Sequence, residues 1–237
     1  MNRDEIKALT FDVFGTVVDW RTSIAREARD VGRAKGIEAD WDAFADDWRG
    51  LYQPSMAAVV EGRRPWAKLD VLHRESLETV LETFGVGGLS EAEKDHLNRA
   101  WHRLDAWPDV VPGLTRLKRR YVLATLSNGN VAMMVNMARR TALPWDAILG
   151  AEPARHYKAD TECYLITAGY LGLEPSQILM VAAHNADLIR AAKLGFRTAF
   201  VPRPTEHGPG QTTNLEPERD YDVVARDFTD LADKMGC

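Results

Sequence analysis

The sequence predicts an α/β protein: a Rossmann-like parallel sheet core with an inserted helical cap subdomain. Three observations lead there. Over the second half of the chain, short apolar runs alternate with helical stretches, the rhythm of a parallel sheet covered on both faces. A similar apolar run stands alone near the N-terminus, at residues 6–11. Between the two, from about residue 20 to residue 104, the chain reads almost entirely as helix. An insertion after the first strand explains that order, with the core at residues 1–18 and 105–237 and the cap at 19–104.

Each element has a local reason. In the cap, Trp41, Phe44, Ala45, Trp48, Leu51 and Tyr52 recur every three or four residues, as do Leu69, Leu72, Leu77, Val80, Leu81 and Phe84. That spacing puts each set on one helical face. The glycines between 85 and 88 break the pattern, and Ser90 with Glu93 makes a capping box for the next helix. Trp107-Pro108 and Pro112-Gly113 mark the return to a different architecture. Strands are then expected at 121–126, 147–150, 178–183, 198–201 and 221–224. Helices are expected at 131–140, 160–171 with Asp160 as N-cap, 187–194 and 228–235. Residues 202–218, rich in Pro, Gly and Thr, read as a surface loop.

Composition narrows the function. The 237 residues are 45% hydrophobic and 27% charged, with a formal net charge of −5 and no basic block, so no nucleic-acid footprint is present. The two cysteines, Cys163 and Cys237, have neither metal-ligand spacing nor a disulfide framework. Cys163 reads as a small buried hydrophobe. No apolar run resembles a signal peptide or a membrane span. A cytoplasmic location, no membrane partner and a small-molecule substrate are expected.

The chemistry gathers at strand ends. In a parallel sheet these converge on one edge, outside the carboxyl termini of the strands. Asp12 and Thr16 follow the first strand, Ser127-Asn128-Gly129-Asn130 the second, and His184-Asn185-Ala186-Asp187 a later one, while Tyr157-Lys158 precedes a helix. One cleft thus receives two carboxylates, a hydroxyl with an amide, and an ammonium. Asp12 is placed to act as a covalent nucleophile. Phe14 stands where a carboxylate could have served as acid or base.

Taken in order, these motifs resemble the haloacid dehalogenase-like hydrolases, and more closely their L-2-haloacid dehalogenase branch (type II). The residues concerned run from Phe11 to Thr16 and from Leu126 to Gly129, with Trp48-Arg49, and Tyr157-Lys158-Ala159-Asp160 followed by Tyr164. The resemblance covers nearly the whole chain. It implies that Asp12 displaces halide to form an ester, which water then hydrolyses to a 2-hydroxy acid. Lys158 would keep Asp12 ionised and pair with Asp187, and Asp187 would position or deprotonate the water. Ser127, with Lys158 and turn amides near Val13 and Phe14, would hold the substrate carboxylate. Arg49 and Asn128 would receive the halide, with Trp20 and Tyr164 in the pocket. Relatives of this type are often dimers, so a homodimer is expected. A halide leaves without a proton, so Phe14 is tolerable. A hard cation would find few oxygen ligands around Asp187, so neither metal nor other cofactor is expected.

The chain departs from the family at the last motif. Ala182 and Ala183 stand in place of serines, His184 in place of Asn, and Ala186 in an aromatic slot. His184 is expected to take over water positioning or to narrow the halide pocket. Two other readings compete: a phosphatase with an unusual first motif, and a non-catalytic small-acid-binding protein. The remaining histidines, His73, His96, His102, His156 and His207, read as solvated or structural, and Asp46-Asp47 as a solvated helix face.

Overall fold

The computed structural model describes residues 1–158 and 160–237. The chain begins with β1 (Ala8–Phe11) and β2 (Val18–Asp19). It continues through α1 (Trp20–Lys35), α2 (Trp41–Gly50), α3 (Tyr52–Val60), α4 (Leu69–Thr83) and α5 (Glu91–Asn98). After β3 (Asp105–Ala106) and α6 (Val110–Leu117) come β4 (Val122–Ser127), α7 (Val131–Thr141), β5 (Ala147–Gly150), α8 (Ala151–Ala154) and α9 (Thr161–Leu171). The chain ends with β6 (Ile178–Ala182), α10 (Asn185–Lys193), β7 (Arg197–Phe200), β8 (Val223–Val224) and α11 (Phe228–Met235).

Among the described residues, six strands form one parallel sheet in the order β5-β4-β1-β6-β7-β8. The first strand made is central, with Phe11 opposite Thr125 on one side and Val181 on the other. Its residues are all buried, which is why it reads as a continuous apolar run rather than an alternating one. β2 and β3 pair antiparallel in a separate two-stranded ribbon, through which the chain leaves for α1–α5 and returns. These helices bury the predicted stripe of Trp41, Phe44, Ala45 and Trp48, and the Ser90–Glu93 capping box forms. No helix among the described residues is long and apolar enough to cross a membrane.

Four local expectations need correction. Pro112 and Gly113 lie inside α6 rather than at a break. Pro112 sits in the first turn, where no intrahelical N–H is needed. Gly113 lets α6 press on α11, since a β-carbon there would lie 2.5 Å from the Phe228 carbonyl oxygen. The cap stripe is split at Leu51 into α2 and α3. Asp160 occupies the N-cap of α9, but its side chain makes no cap hydrogen bond. It pairs with His156 Nδ1 at 2.6 Å instead. The loop at 202–218 is not simply superficial: Arg203 and Glu206 are buried. Arg203 clamps Asp109 through both terminal nitrogens, at 2.8 and 2.9 Å, and donates to the Thr16 carbonyl at 2.9 Å.

A polar seam joins α4 to the turn after β4. Asn130 Nδ2 donates to Asp70 Oδ2 at 2.9 Å and Asn130 Oδ1 accepts the Asp70 N–H. His102 Nε2 lies 2.9 Å from Asp70 Oδ1, and Asn136 meets the other His102 nitrogen. Such groups stay buried only because each has a partner.

Candidate active site

The carboxyl ends of β1, β4 and β6 open on a cavity of about 660 Å³. Asp12, Phe14, Trp20, Arg49, Asn128 and Lys158 line one part of it, and Tyr164, His184, Ala186, Asp187 and Glu206 another. Asp12 follows β1 directly and is fixed by its own N–H, which donates to the Val181 carbonyl at 3.0 Å. Its carboxylate is held by three donors. Lys158 Nζ donates to Oδ1 at 2.8 Å, and Thr16 Oγ1 to Oδ2 at 2.7 Å. His184 Nδ1 lies 3.1 Å from Oδ2. The same Lys158 ammonium bonds Asp187 Oδ2, while Tyr164 OH donates to Asp187 Oδ1.

These groups are almost fully enclosed, so their charges persist only in company. Burial alone would push the Asp12 carboxyl up. The Lys158 ammonium and the His184 imidazole overcome it and hold Asp12 well below the usual carboxylate range. Burial would likewise neutralise Lys158, but Asp12 and Asp187 raise it well above its ordinary value. Against the same burial penalty, Glu206 and Asp12 carry His184 up to about 10. The two flanking carboxylates thus favour the imidazolium form of His184. Its folded value exceeds the unfolded one, so its stabilising contribution is complete below the ordinary imidazole range and fades as pH rises through about 10.

Glu206, which sequence reasoning missed, completes this wall. Its Oε2 lies 2.9 Å from His184 Nε2, and its Oε1 accepts the Trp20 indole N–H at 3.0 Å. Two anchors bring it there. Arg203 fixes the start of the loop, and Asn185 at the head of α10 fixes its end. The Asn185 N–H donates to Asn214 Oδ1, its side-chain amide to the Glu216 carbonyl, and its Oδ1 accepts from Glu218 and Tyr221. Opposite Glu206 lies Gly15, at φ +83°, where a β-carbon would sit 2.0 Å from Glu206 Oε1.

On the cap side, Arg49 lies over the rings of Tyr52 (3.9 Å), Trp20 (5.4 Å) and Phe14 (5.6 Å). One of its terminal nitrogens is buried with no hydrogen-bond partner among the described residues. Asn128 bridges cap and core: its amide donates to Tyr52 OH at 3.0 Å and its oxygen accepts the Lys158 N–H at 2.7 Å.

A model of the haloacid dehalogenase-like hydrolase family matches residues 6–195. The chain belongs to that family. It falls in the L-2-haloacid dehalogenase branch. This haloacid dehalogenase-like hydrolase is 30% identical over 206 residues to (S)-2-haloacid dehalogenase 4A of Burkholderia cepacia, covering 84% of each chain. It is 30% identical over 204 residues to (S)-2-haloacid dehalogenase 1 of Pseudomonas sp. strain CBS-3, covering 84% of this chain and 86% of the other. The crystal structure of a defluorinating L-2-haloacid dehalogenase superposes with a TM-score of 0.94 at 47% identity, over 98% of this chain and 96% of that one.

Within this haloacid dehalogenase-like hydrolase, most of the expected residues converge. Asp12, Phe14, Trp20, Arg49, Asn128, Lys158, Tyr164, His184 and Asp187 all face the cavity. Thr16, Val13 and Ser127 are buried behind its wall. Thr16 still touches Asp12, whereas Ser127 Oγ accepts the Gly129 N–H and braces the turn that carries Asn128. Ala159 lies outside the described residues. The residues read as solvated or structural keep that character, though two of them border the cavity. His207 lines the cavity, edge-on to Trp20, and Asp46 lines it while paired with Arg21 at 2.7 Å. His73 is buried against Trp101, and burial holds it down at about 3. Tyr52 was visible in sequence only as part of an apolar stripe. Glu206 carried no local signal at all, because its partners lie in β1's turn, α1 and the start of α10.

The Gly15 contact yields a direct prediction. Gly15→Ala adds both a strained positive φ and a clash with Glu206. The expected result is a loss of at least about tenfold in kcat, from displaced wall groups, with a folded far-UV spectrum. Steady-state halide release and circular dichroism on the purified variant check it.

Proposed function

We propose that the protein hydrolyses the carbon–halogen bond of short 2-haloalkanoic acids, such as haloacetates and 2-halopropionates, to 2-hydroxy acids and halide. One observation carries the reading. A buried carboxylate is held ionised by two cations, and the side chain two residues on is the apolar Phe14 rather than an acid. Expelling an alkoxide from a phosphate ester calls for a proton donor near the nucleophile, whereas a halide departs as an anion.

The chemistry runs in two halves. An Asp12 oxygen forms a bond to the halogen-bearing carbon, the carbon–halogen bond breaks, and the halide takes the electron pair. Arg49, with its unpartnered buried nitrogen, and Asn128 stabilise the departing anion where its charge develops. Lys158 meets the substrate carboxylate as well as Asp12. Water then adds to the Asp12 carboxyl carbon, with Asp187 accepting its proton and Tyr164 and Lys158 holding Asp187 in place. Residues 1–18 and 105–237 act as the catalytic core, and 19–104 as a cap that excludes bulk water.

No metal is assigned a step. The Asp12 and Asp187 oxygens already accept from Lys158, Thr16, His184 and Tyr164, which leaves a hard cation few lone pairs. Among the described residues, one trio of metal-type ligands, His156, Asp160 and Glu162, groups within 4.8 Å. It includes neither Asp12 nor Asp187.

The reading is tested by halide release from chloro-, bromo- and fluoroacetate and both enantiomers of 2-chloropropionate, with chelator present. Release from the haloacetates and from one enantiomer, with inverted 2-hydroxy acid as product, is the expected outcome. Release of phosphate from generic esters with Mg²⁺, and of no halide, would overturn the reading. The solved relative named as defluorinating supports fluoroacetate among the substrates. The position of His184 in the cavity beside Asp12 supports a bias in that preference. His184→Asn is expected to lower fluoride release relative to chloride release by roughly tenfold, the weight of one charged hydrogen bond. An unchanged ratio would remove His184 from halide selection.

A further inference from the structure

The geometry points to a dedicated oxyanion clamp on Asp12, formed by Thr16 and His184 and maintained by Glu206, which serves the hydrolytic half of the reaction. The inference rests on the proposed ester at Asp12, and it divides the two oxygens of that carboxylate between two tasks.

The division follows from lone pairs. A carboxylate oxygen has about two acceptor sites. Asp12 Oδ2 has two donors, Thr16 Oγ1 at 2.7 Å and His184 Nδ1 at 3.1 Å. Oδ1 has the Lys158 ammonium alone, at 2.8 Å. Oδ1 therefore keeps a lone pair free and attacks the halogen-bearing carbon, whereas Oδ2 becomes the carbonyl oxygen of the ester. When water adds to the carboxyl carbon, the carbonyl pair moves onto Oδ2. The donors needed at that oxyanion stand about 2.7–3.1 Å away already, the range such stabilisation requires.

Both donors are fixed in sense. Thr16 Oγ1 accepts the Ala183 N–H at 2.9 Å, so its single proton points to Oδ2. His184 lies between two carboxylates, Asp12 and Glu206, with a nitrogen within reach of each. Two ionised acceptors require an N–H on both nitrogens, which makes the ring an imidazolium. The surrounding charges are Asp12 from the turn after β1, Lys158 bound to it, Glu206 and His207 from the 202–218 loop, Asp187 from α10, and Arg49 from α2 beside Glu206.

Esterification removes the Asp12 charge, and with it one of the two anions that support the imidazolium. Glu206 is then the anion that keeps His184 protonated while the ester waits for water. The balance closes as follows. The water proton passes to Asp187 and then to the departing alkoxide. The carbonyl pair returns from Oδ2, the bond between the carboxyl carbon and Oδ1 breaks, and the second water proton leaves to solvent as Asp12 regains its charge. Glu206 bonds His184 and Trp20 and has no hydrogen bond to Asp12 among the described residues, so it is a positioning residue acting through His184.

The test is rapid-quench kinetics of Glu206→Gln with bromoacetate, with intact-protein mass measured along the time course. Hydrolysis is expected to slow more than alkylation. The variant then gives a burst of about one bromide per active site, about a hundredfold slower turnover, and an Asp12 ester that accumulates. Its turnover falls with rising pH at a lower pH than in the wild type, because the imidazolium has lost its supporting anion. His184→Gln, read in the same way, covers the case in which Glu206→Gln does not fold. A wild type that releases no halide removes the proposed function itself. A wild type that does so, beside variants with unchanged turnover or slowed alkylation and no accumulated ester, overturns the clamp alone.

Discussion

Asp12→Asn is expected to abolish halide release, with a loss of at least about 10⁴-fold in kcat, the scale seen when a covalent nucleophile is removed. The neutral amide retains the shape of the carboxylate, and its one oxygen can still accept from Lys158, so the fold should survive. What is lost is the negative charge that makes a carboxylate oxygen nucleophilic enough to bond to carbon. The measurement is bromide release with enzyme in excess, beside a thermal melt. A variant that stays folded yet releases bromide at a tenth of the wild-type rate would show that water attacks carbon directly, and the aspartyl-ester scheme would be wrong.

Lys158→Met has the second large effect, and it strikes stability and chemistry together. The ammonium is the shared partner of two buried carboxylates. Removing one member of such a cluster costs about 3–5 kcal/mol, because the remaining charges stay buried and uncompensated. The pH dependence has a definite sign. In the wild type Asp12 is depressed below its unfolded value, so its contribution is present above the ordinary carboxylate range and is lost as pH falls through the folded value. In the variant Asp12 stays buried without the Lys158 ammonium, and its protonation on acidification relieves that cost. The stability gap between the two proteins should therefore be widest at about pH 7 and narrower at about pH 4, where carboxylates begin to titrate. Urea midpoints at both values check it. A gap that widens on acidification would contradict the role of Lys158 as counter-ion.

Much of this was visible in the sequence, and the parts that were not share a cause. The strand ahead of Asp12, the glycine turn at Gly15 and the Ser127–Asn128 turn are local signals: an apolar run, then residues that stop it. Chain order alone brings Asp12, Lys158, His184 and Asp187 to one sheet edge. Glu206 and His207 fall in a stretch rich in Pro, Gly and Thr with no hydrophobic period. The burial of Glu206, and the place of His207 beside Trp20, depend on Arg203 reaching Asp109 and on Asn185 gripping the far end of the loop, contacts that no local window contains. The Pro112-Gly113 pair misleads for a related reason. It looks like a break, yet the glycine is required by the closeness of Phe228, much later in the chain. Ser127 is where the motif puts it, and its hydroxyl also accepts the Gly129 N–H of the adjacent turn, a contact the motif alone does not announce.

The central position of β1 has a consequence for how the protein comes into being. Asp12 leaves the ribosome early. Lys158 follows 146 residues later and His184 172 residues later, with Glu206 later still. Until β6 docks, the nascent polypeptide holds a reactive acid with neither its counter-ions nor its walls. Closing such distant pairings is slow. The group proposed as nucleophile therefore gains its cations and walls only when β6 and the 202–218 loop have joined the sheet.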